Sequence, residues 1–200
     1  LASVSASDPA GRPQRLVVAL RQLVAAVKRQ PEAAIDHPEL ATEFLASSYR
    51  EQVRANRRAA LETALNLAKQ ATAASPQSGL AWARVGELEF SFGRTRPALH
   101  ALNRSLELSP RNAQTLALKG FLLAAQNQTR EAITWFDRAL ETDSALGNAR
   151  LGRGLCHIRL GHAAQGREDL LVAAALEPQR AELRSYLGKA YANRGDYLRA

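Results

Sequence analysis

Residues 79–112 read GLAWARVGELEFSFGRTRPALHALNRSLELSPRN, and this 34-residue stretch decides the fold because its spacing recurs along the chain. The glycine at position 86 opens a series that continues at intervals of 34 residues: Gly86, Gly120, Gly154 and Gly188. A period of this length is typical of stacked supersecondary units. The sequence therefore predicts a repeat protein.

Other residue types recur in the same register. A second small-residue column, an apolar column and a turn column accompany the glycines: Ala98, Ala132, Gly166 and Ala200; Leu102, Phe136 and Leu170; Gly93, Asn127, Gly161 and Gly195. Apolar residues on either side of each turn residue have helical spacing, as in 116–125 and 131–140. The sequence of each unit therefore predicts a helix, a turn and a second helix. The small residues allow the paired helices to approach closely.

This pattern resembles the tetratricopeptide repeat (TPR), whose signature has tryptophan, Leu-Gly, alanine, phenylalanine and proline at set positions. The matching residues of 79–112 are Trp82, Val85, Gly86, Ala98, Leu102, Ser105 and Pro110. The resemblance implies an all-α fold, a right-handed superhelical solenoid of antiparallel helix pairs. It implies no particular ligand, because function in such folds is grafted onto the helix faces.

The register divides the chain into six segments. Residues 1–36 form an N-terminal extension and 37–78 a divergent first TPR-like helix pair; TPR units follow at 79–112, 113–146 and 147–180, with a partial unit at 181–200. The divergent pair has Gln52 where the small residue belongs. The missing initiator methionine and the stop at Ala200 indicate a segment of a longer protein, whose exposed C-terminal repeat would permit self-association.

The N-terminal extension contains one predicted amphipathic helix. Its apolar face consists of Leu16, Leu20, Leu23, Val24 and Val27, with cations around it. Such a helix can lie on a membrane, or it can cover the apolar end of the solenoid, which is the prediction here. Asp36 or His37 then caps the next helix, with Pro38 in its first turn.

Signatures of catalysis and of metal binding are missing from the sequence. Cys156, the single cysteine, precedes His157, and adjacent side chains point in different directions on a helix, so a packed thiol is predicted rather than a metal site. Neither a phosphate loop nor a nucleophile elbow is present. We expect no cofactor, no metal and no enzymatic activity. The first residues lack the features of a signal peptide. The sequence does not decide between the bacterial cytoplasm and the envelope as the location of the protein.

The first helix of each unit lines the inner face of TPR solenoids, so the resemblance implies where a partner binds. The groove residues are Phe90, Phe121, Leu151, Leu155 and Ile158 as an apolar strip, with Glu87 and Arg159 to orient the partner. Such a strip suits a partner helix or an extended peptide. Alternatively, these side chains simply pack on adjacent helices. The leading hypothesis is a non-catalytic bacterial interaction module, a scaffold or adaptor with a protein or peptide partner.

The net charge of +8 suggests an alternative function. Arg50, Arg54, Arg57 and Arg58 have helical spacing and would form a basic face if one helix continued that far. A basic face can bind nucleic acid or anionic membrane electrostatically. No aromatic residues lie between these arginines to stack on bases, so a solvated surface is the simpler interpretation.

Two cations stand in an apolar column. Lys119 and Arg153 take the place that Val85 and Leu187 hold in other units, and stacking would put them on helices about 8–10 Å apart. Buried cations need partners, and the candidates are Asp143, Glu168, Asp169 and Glu177. The sequence favours an internal ionic ladder, with an anion-binding line as the alternative.

Two short stretches show a closer similarity. Residues 147–155 and 183–190 resemble phrases of long bacterial TPR proteins, some of which carry an iron-regulator-type (FecR-like) envelope domain. This similarity implies a bacterial, envelope-linked scaffold.

Overall fold

The structure, a computed structural model, describes residues 37–53 and 57–192. Within these ranges it contains nine α-helices and no strand, which confirms the all-α class. The helices are α1 (Pro38–Gln52), α2 (Arg57–Ala74), α3 (Gly79–Ser91), α4 (Thr95–Leu108), α5 (Ala113–Ala125), α6 (Thr129–Thr142), α7 (Gly147–Arg159), α8 (Ala163–Leu176) and α9 (Ala181–Ala192). None of these nine is long and apolar enough to cross a membrane. The predicted helix of residues 1–36, and the chain beyond 192, lie outside the described residues.

The helices stack in chain order. α1 packs on α2, α3 on α4, α5 on α6 and α7 on α8, and the second helix of each pair packs on the first helix of the next pair. First helices also contact one another across pairs, as α5 does α7. Each unit therefore buries its apolar residues against its neighbours, and the core is a series of clusters along the stack rather than one central cluster.

Helix ends follow the turn chemistry of the sequence. Ser78 and Asn112 cap α3 and α5, and their side-chain oxygens accept hydrogen bonds from the backbone N–H of Ala81 (3.3 Å) and Thr115 (3.1 Å). In the turn column, Gly93, Asn127 and Gly161 have positive φ angles of 71°, 64° and 85°. The chain reverses there through the left-handed region, which glycine and asparagine tolerate best.

The glycine column marks close contacts between the two helices of a pair. A Cβ atom on Gly86 would lie 2.6 Å from Cδ2 of Leu102, and one on Gly120 would lie 2.8 Å from the ring of Phe136. At Gly154 the obstacle is backbone, because a Cβ would lie 2.8 Å from the carbonyl oxygen of Gly166. In these three units, the period of 34 thus records where the paired helices touch.

The first helix pair departs from the predicted register. Ser48, not Gln52, is the small residue that meets the second helix: Ser48 is fully buried and its hydroxyl donates to the carbonyl of Ala64 at 2.8 Å, whereas Gln52 is exposed. Ala64 is the counterpart of Ala98, whose carbonyl lies beside Gly86. α1 is therefore shifted by about one helical turn. Its start is as predicted, with His37 at the N-cap and Pro38 in the first turn.

Lys119 and Arg153, the two cations of the apolar column, both contact partners within the described chain. Lys119 Nζ donates to Asn103 Oδ1 at 2.8 Å and lies 3.8 Å from the ring centroid of Trp135. Arg153 donates to both Asp137 (2.8 Å) and Asp169 (2.6 and 2.8 Å). In both cases the partners lie 16 residues before and 16 residues after the cation.

Of the four predicted acidic partners, Asp169 alone is correct. Asp143, Glu168 and Glu177 do not pair with Lys119 or Arg153, and Asp137 is absent from the predicted set. Hydrogen bonds to Asp169 raise the pKa of Arg153 above its usual range, whereas burial lowers the pKa of Lys119. The interactions within the described chain favour the internal ladder over a line of cations waiting for an anion.

Candidate functional site

Four of the predicted groove residues surround one cavity. The cavity has a volume of about 290 Å³ and is lined by Phe90, Phe121, Ala124, Ala125, Gly152, Leu155, Cys156 and Arg159. Phe90 comes from α3, Phe121 from α5, and Leu155 with Arg159 from α7. Three successive first helices therefore contribute to a single apolar pocket.

Repeat geometry brings the apolar side chains together. Phe121 and Leu155 are 34 residues apart, so they take equivalent places on neighbouring units. The ring of Phe121 stands edge-on to Phe136, with centroids 5.0 Å apart and planes at 76°. Gly152 has no side chain where the Phe136 ring comes close, so the ring packs directly beneath the cavity. Phe121 is half-buried, and its ring packs edge-on against Phe136.

Two predicted groove residues lie elsewhere. Leu151 is only 6% exposed and belongs to the core cluster that contains Leu170 and Leu183. Ile158 packs against the same cluster and lies over Gly166. Both side chains fill the contact between units, as the alternative interpretation of the strip expects, so neither contributes to the cavity wall.

Arg159 stands at the mouth of the cavity. It is exposed, and its Nη1 donates to the carbonyl of Ala124 at 3.2 Å. The same side chain lines a neighbouring shallow depression of about 450 Å³, together with residues 127–131 and Leu160. Among residues 37–53 and 57–192, no carboxylate lies within ion-pair distance of Arg159. Its guanidinium therefore joins an apolar pocket to a polar surface.

Glu87 has a structural partner. Its carboxylate lies 2.8 Å from Nη1 of Arg84, a side chain that is only 1% exposed. Arg84 also donates through Nε and Nη2 to the hydroxyl and carbonyl of Ser48, both at 3.1 Å, and lies 4.0 Å from the ring centroid of Tyr49. Burial, followed by the charge of Glu87, raises the pKa of Tyr49. Glu87 thus neutralises a buried cation instead of presenting a free charge to a partner.

Cys156 and Gly152 complete the cavity wall, although neither is in the predicted groove set. Cys156 is 4% exposed and reduced, and burial raises its thiol pKa more than the nearby charge of Arg159 lowers it. His157 turns away from it toward the ring of His162, with centroids 5.9 Å apart. Within the described part of the chain, no three histidine, cysteine or acidic side chains come together to hold a metal ion.

The predicted basic face is not continuous. Arg50 lies on α1, which ends at Gln52, whereas Arg57 and Arg58 begin α2, which folds back on α1. Arg50 donates to the hydroxyl of Ser47, and Arg58 pairs with Glu62 at 3.7 Å. The prediction of a single helical stripe is therefore wrong, because it requires one helix through this region. Arg54, its fourth member, lies outside the described residues.

Several solved structures share this fold. One is a thermophilic TPR protein of Thermus thermophilus, with a TM-score of 0.68 and 21% identity, covering 78% of this chain and 84% of that chain. Another is PilW, with a TM-score of 0.68 and 21% identity, covering 78% and 70%. A third is YrrB, with a TM-score of 0.59 and 20% identity, covering 88% and 85%. No protein-family model matches the chain, and no curated protein matches it in sequence. These likenesses confirm the TPR solenoid fold predicted from the repeat.

Proposed function

We propose that this TPR solenoid is a non-catalytic interaction module that binds a segment of a protein partner on its inner face. The observation that carries the proposal is the cavity shared by Phe90, Phe121 and Leu155, with Arg159 at its mouth. Apolar side chains of the partner fill the pocket and Arg159 orients the segment. The chain then acts as a scaffold or adaptor, in keeping with the bacterial envelope-linked scaffold that residues 147–155 and 183–190 predict.

The size and lining of the cavity support a side-chain ligand. Pockets for small molecules and cofactors commonly have volumes of about 300–1,000 Å³ and several converging polar groups. The volume here, about 290 Å³, is close to the lower end of that range, but Arg159 is the only charged lining residue. One or two apolar side chains match such a pocket better than a cofactor does. Among the structural neighbours, YrrB is described as a TPR protein with an unusual peptide-binding site and PilW as a type IV pilus biogenesis factor.

The chemistry of the wall argues against catalysis at this place. Reactive cysteines have lowered pKa values and partial exposure. Cys156 has the opposite properties, since it is buried and its pKa is raised. The charge-based alternative, binding of nucleic acid or anionic membrane, is less well supported because Arg50 and Arg57 lie on different helices.

Affinity capture from a lysate of the source cell, at high salt and followed by mass spectrometry, tests the proposal. The wild-type chain should retain a partner that Phe121→Ala/Leu155→Ala loses, because apolar burial persists in salt while surface charge is screened. Leu171→Ala/Leu176→Ala is the matched control, since both leucines are exposed on α8 and outside the cavity. Circular dichroism establishes that each variant is folded. A partner retained equally by the cavity variant would contradict the proposal.

A further inference from the structure

We infer that the partner segment is acidic: it places an apolar side chain in the cavity and an aspartate or glutamate side chain, close by in its sequence, on Arg159. The inference rests on the proposed function and adds the chemistry of the ligand. It is carried by the charges that remain unpaired along the inner face.

Arg159 is positioned to receive a carboxylate beside the pocket. Its guanidinium has five N–H donors, and among the described residues its only hydrogen bond is to the carbonyl of Ala124. Two N–H groups of a guanidinium match a carboxylate in a bidentate geometry. Because Arg159 lines both the cavity and the adjoining depression, a ligand side chain in the cavity puts the next part of the ligand within reach of this cation.

Two carboxylates of the first helices have cationic partners. Glu87 lies 2.8 Å from Arg84, and Glu182 lies 3.1 Å from Arg180, a cation that Glu177 shares at 3.2 Å. Lys189, one repeat beyond Leu155 in the same column, is exposed and has no acidic partner within the described residues. Arg159 and Lys189 therefore offer positive charge that is complementary to an acidic ligand.

The spread of these cations favours acidic side chains over a terminal carboxylate. Arg130 lines the depression beside Arg159, together with Glu131, while Lys189 lies on α9. One chain end supplies a single carboxylate, whereas an acidic segment can match cations on several helices. The chain's own N-terminal segment is unsuitable as an occupant, because residues 12–29 contain five cations and no acid.

Selection of random dodecapeptides displayed on phage, against the full chain, tests the inference. Selected peptides are remade with amidated C-termini, and their affinities are measured by fluorescence anisotropy. Phe121→Ala/Leu155→Ala, which leaves the charge unchanged, identifies the peptides that bind at the cavity. For these peptides, Arg159→Gln should weaken binding about tenfold, because a charged hydrogen bond is lost. Arg159→Lys should weaken binding less, because the positive charge is kept. Arg96→Gln, an exposed site on α4, is the control of equal charge.

Each outcome decides a different point. Cavity-dependent peptides that combine an acidic and an apolar residue, and that lose affinity when the acid is replaced by its amide, support the inference. Cavity-dependent peptides that tolerate both that replacement and Arg159→Gln would overturn it and leave the proposed function standing. A selection that yields no cavity-dependent peptide would overturn both.

Discussion

Arg153 on α7 and Asp169 on α8 form a two-point ion pair, with guanidinium nitrogens 2.6 and 2.8 Å from the two carboxylate oxygens. Asp169 is buried, and its other cation, Arg150, lies at 3.3 Å. Asp137 on α6 binds the same guanidinium from the preceding unit. One side chain thus joins three helices across a repeat boundary.

Removing Arg153 should destabilise the solenoid. Arg153→Leu leaves Asp169 with one longer contact, and the loss of one partner of a buried pair is expected to cost about 2–4 kcal/mol. Lys119→Leu should cost less, about 1 kcal/mol, because its partner Asn103 is neutral. Urea unfolding measures both free energies. A Lys119→Leu/Arg153→Leu variant as stable as the wild type would show that the ladder contributes nothing.

Stability in acid should depend on Glu89. This buried carboxylate accepts from Lys69 at 2.8 Å and Arg94 at 3.1 Å. Burial raises the pKa of Glu89. The hydrogen bonds and positive charges of Lys69 and Arg94 together lower it by more, so the pKa lies below its usual value. The carboxylate therefore stabilises the fold above its unfolded-state pKa of about 4.3, and this contribution disappears as the pH falls through the lower folded-state value.

Glu89→Gln isolates that contribution. At neutral pH the variant should lose about 1–2 kcal/mol of unfolding free energy, and the difference from wild type should vanish in acid. Urea unfolding at a series of pH values measures both curves. A difference that stays constant down to strongly acidic pH would contradict the assignment.

The shifted register of α1 makes Ser48 more important than Gln52. Ser48→Ala leaves Nε of the buried Arg84 without its acceptor, at an expected cost of about 1–3 kcal/mol. Gln52→Ala removes an exposed side chain and should stay within about 0.5 kcal/mol of wild type. Thermal unfolding measures the stability of both variants. A greater loss of stability for Gln52→Ala than for Ser48→Ala would support the register predicted from the repeat.

The glycine column should not respond uniformly to alanine. At Gly154 the new methyl group meets the backbone of Gly166, which cannot rotate away, so Gly154→Ala should cost about 1–3 kcal/mol. At Gly86 it meets Cδ2 and Cγ of the Leu102 side chain, which can shift more than backbone can, and the gain in helix propensity, about 1 kcal/mol, offsets part of the strain. Equal melting temperatures for the two variants would argue against the backbone contact.

The periodic part of the sequence predicts the fold because the repeat interval reports helix contacts. Within residues 57–192, the four columns fall where helices touch or turn. The predicted helix start at Pro38 is confirmed. The interval fails in the first pair, where Ser48 lies 38 residues before Gly86. A single repeat interval locates this helix pair, but it misplaces the contact residue when the first helix has moved by one turn.

The contacts between side chains of different units are less predictable from the sequence than the helices are. Phe121 and Leu155 share a column, so their joint presence at the cavity is readable from the sequence. Leu151 is not distinguishable from them by residue type, and its burial depends on Leu170 and Leu183 in the following helices. The burial of Arg84 could not be predicted, because its counterpart one repeat later, Leu118, is apolar. Its hydrogen bond to Ser48 depends on the shifted position of α1.

The most direct test of the binding cavity uses Cys156, the only cysteine in the chain and part of the cavity wall. The rate at which a small thiol reagent modifies it is measured with and without a saturating amount of a peptide selected against the chain. If the peptide occupies the space between Phe90, Phe121 and Leu155, modification should slow by about tenfold or more, as expected when a bound ligand covers a thiol and closes local openings. A peptide that binds by anisotropy but leaves the rate unchanged would contradict the account.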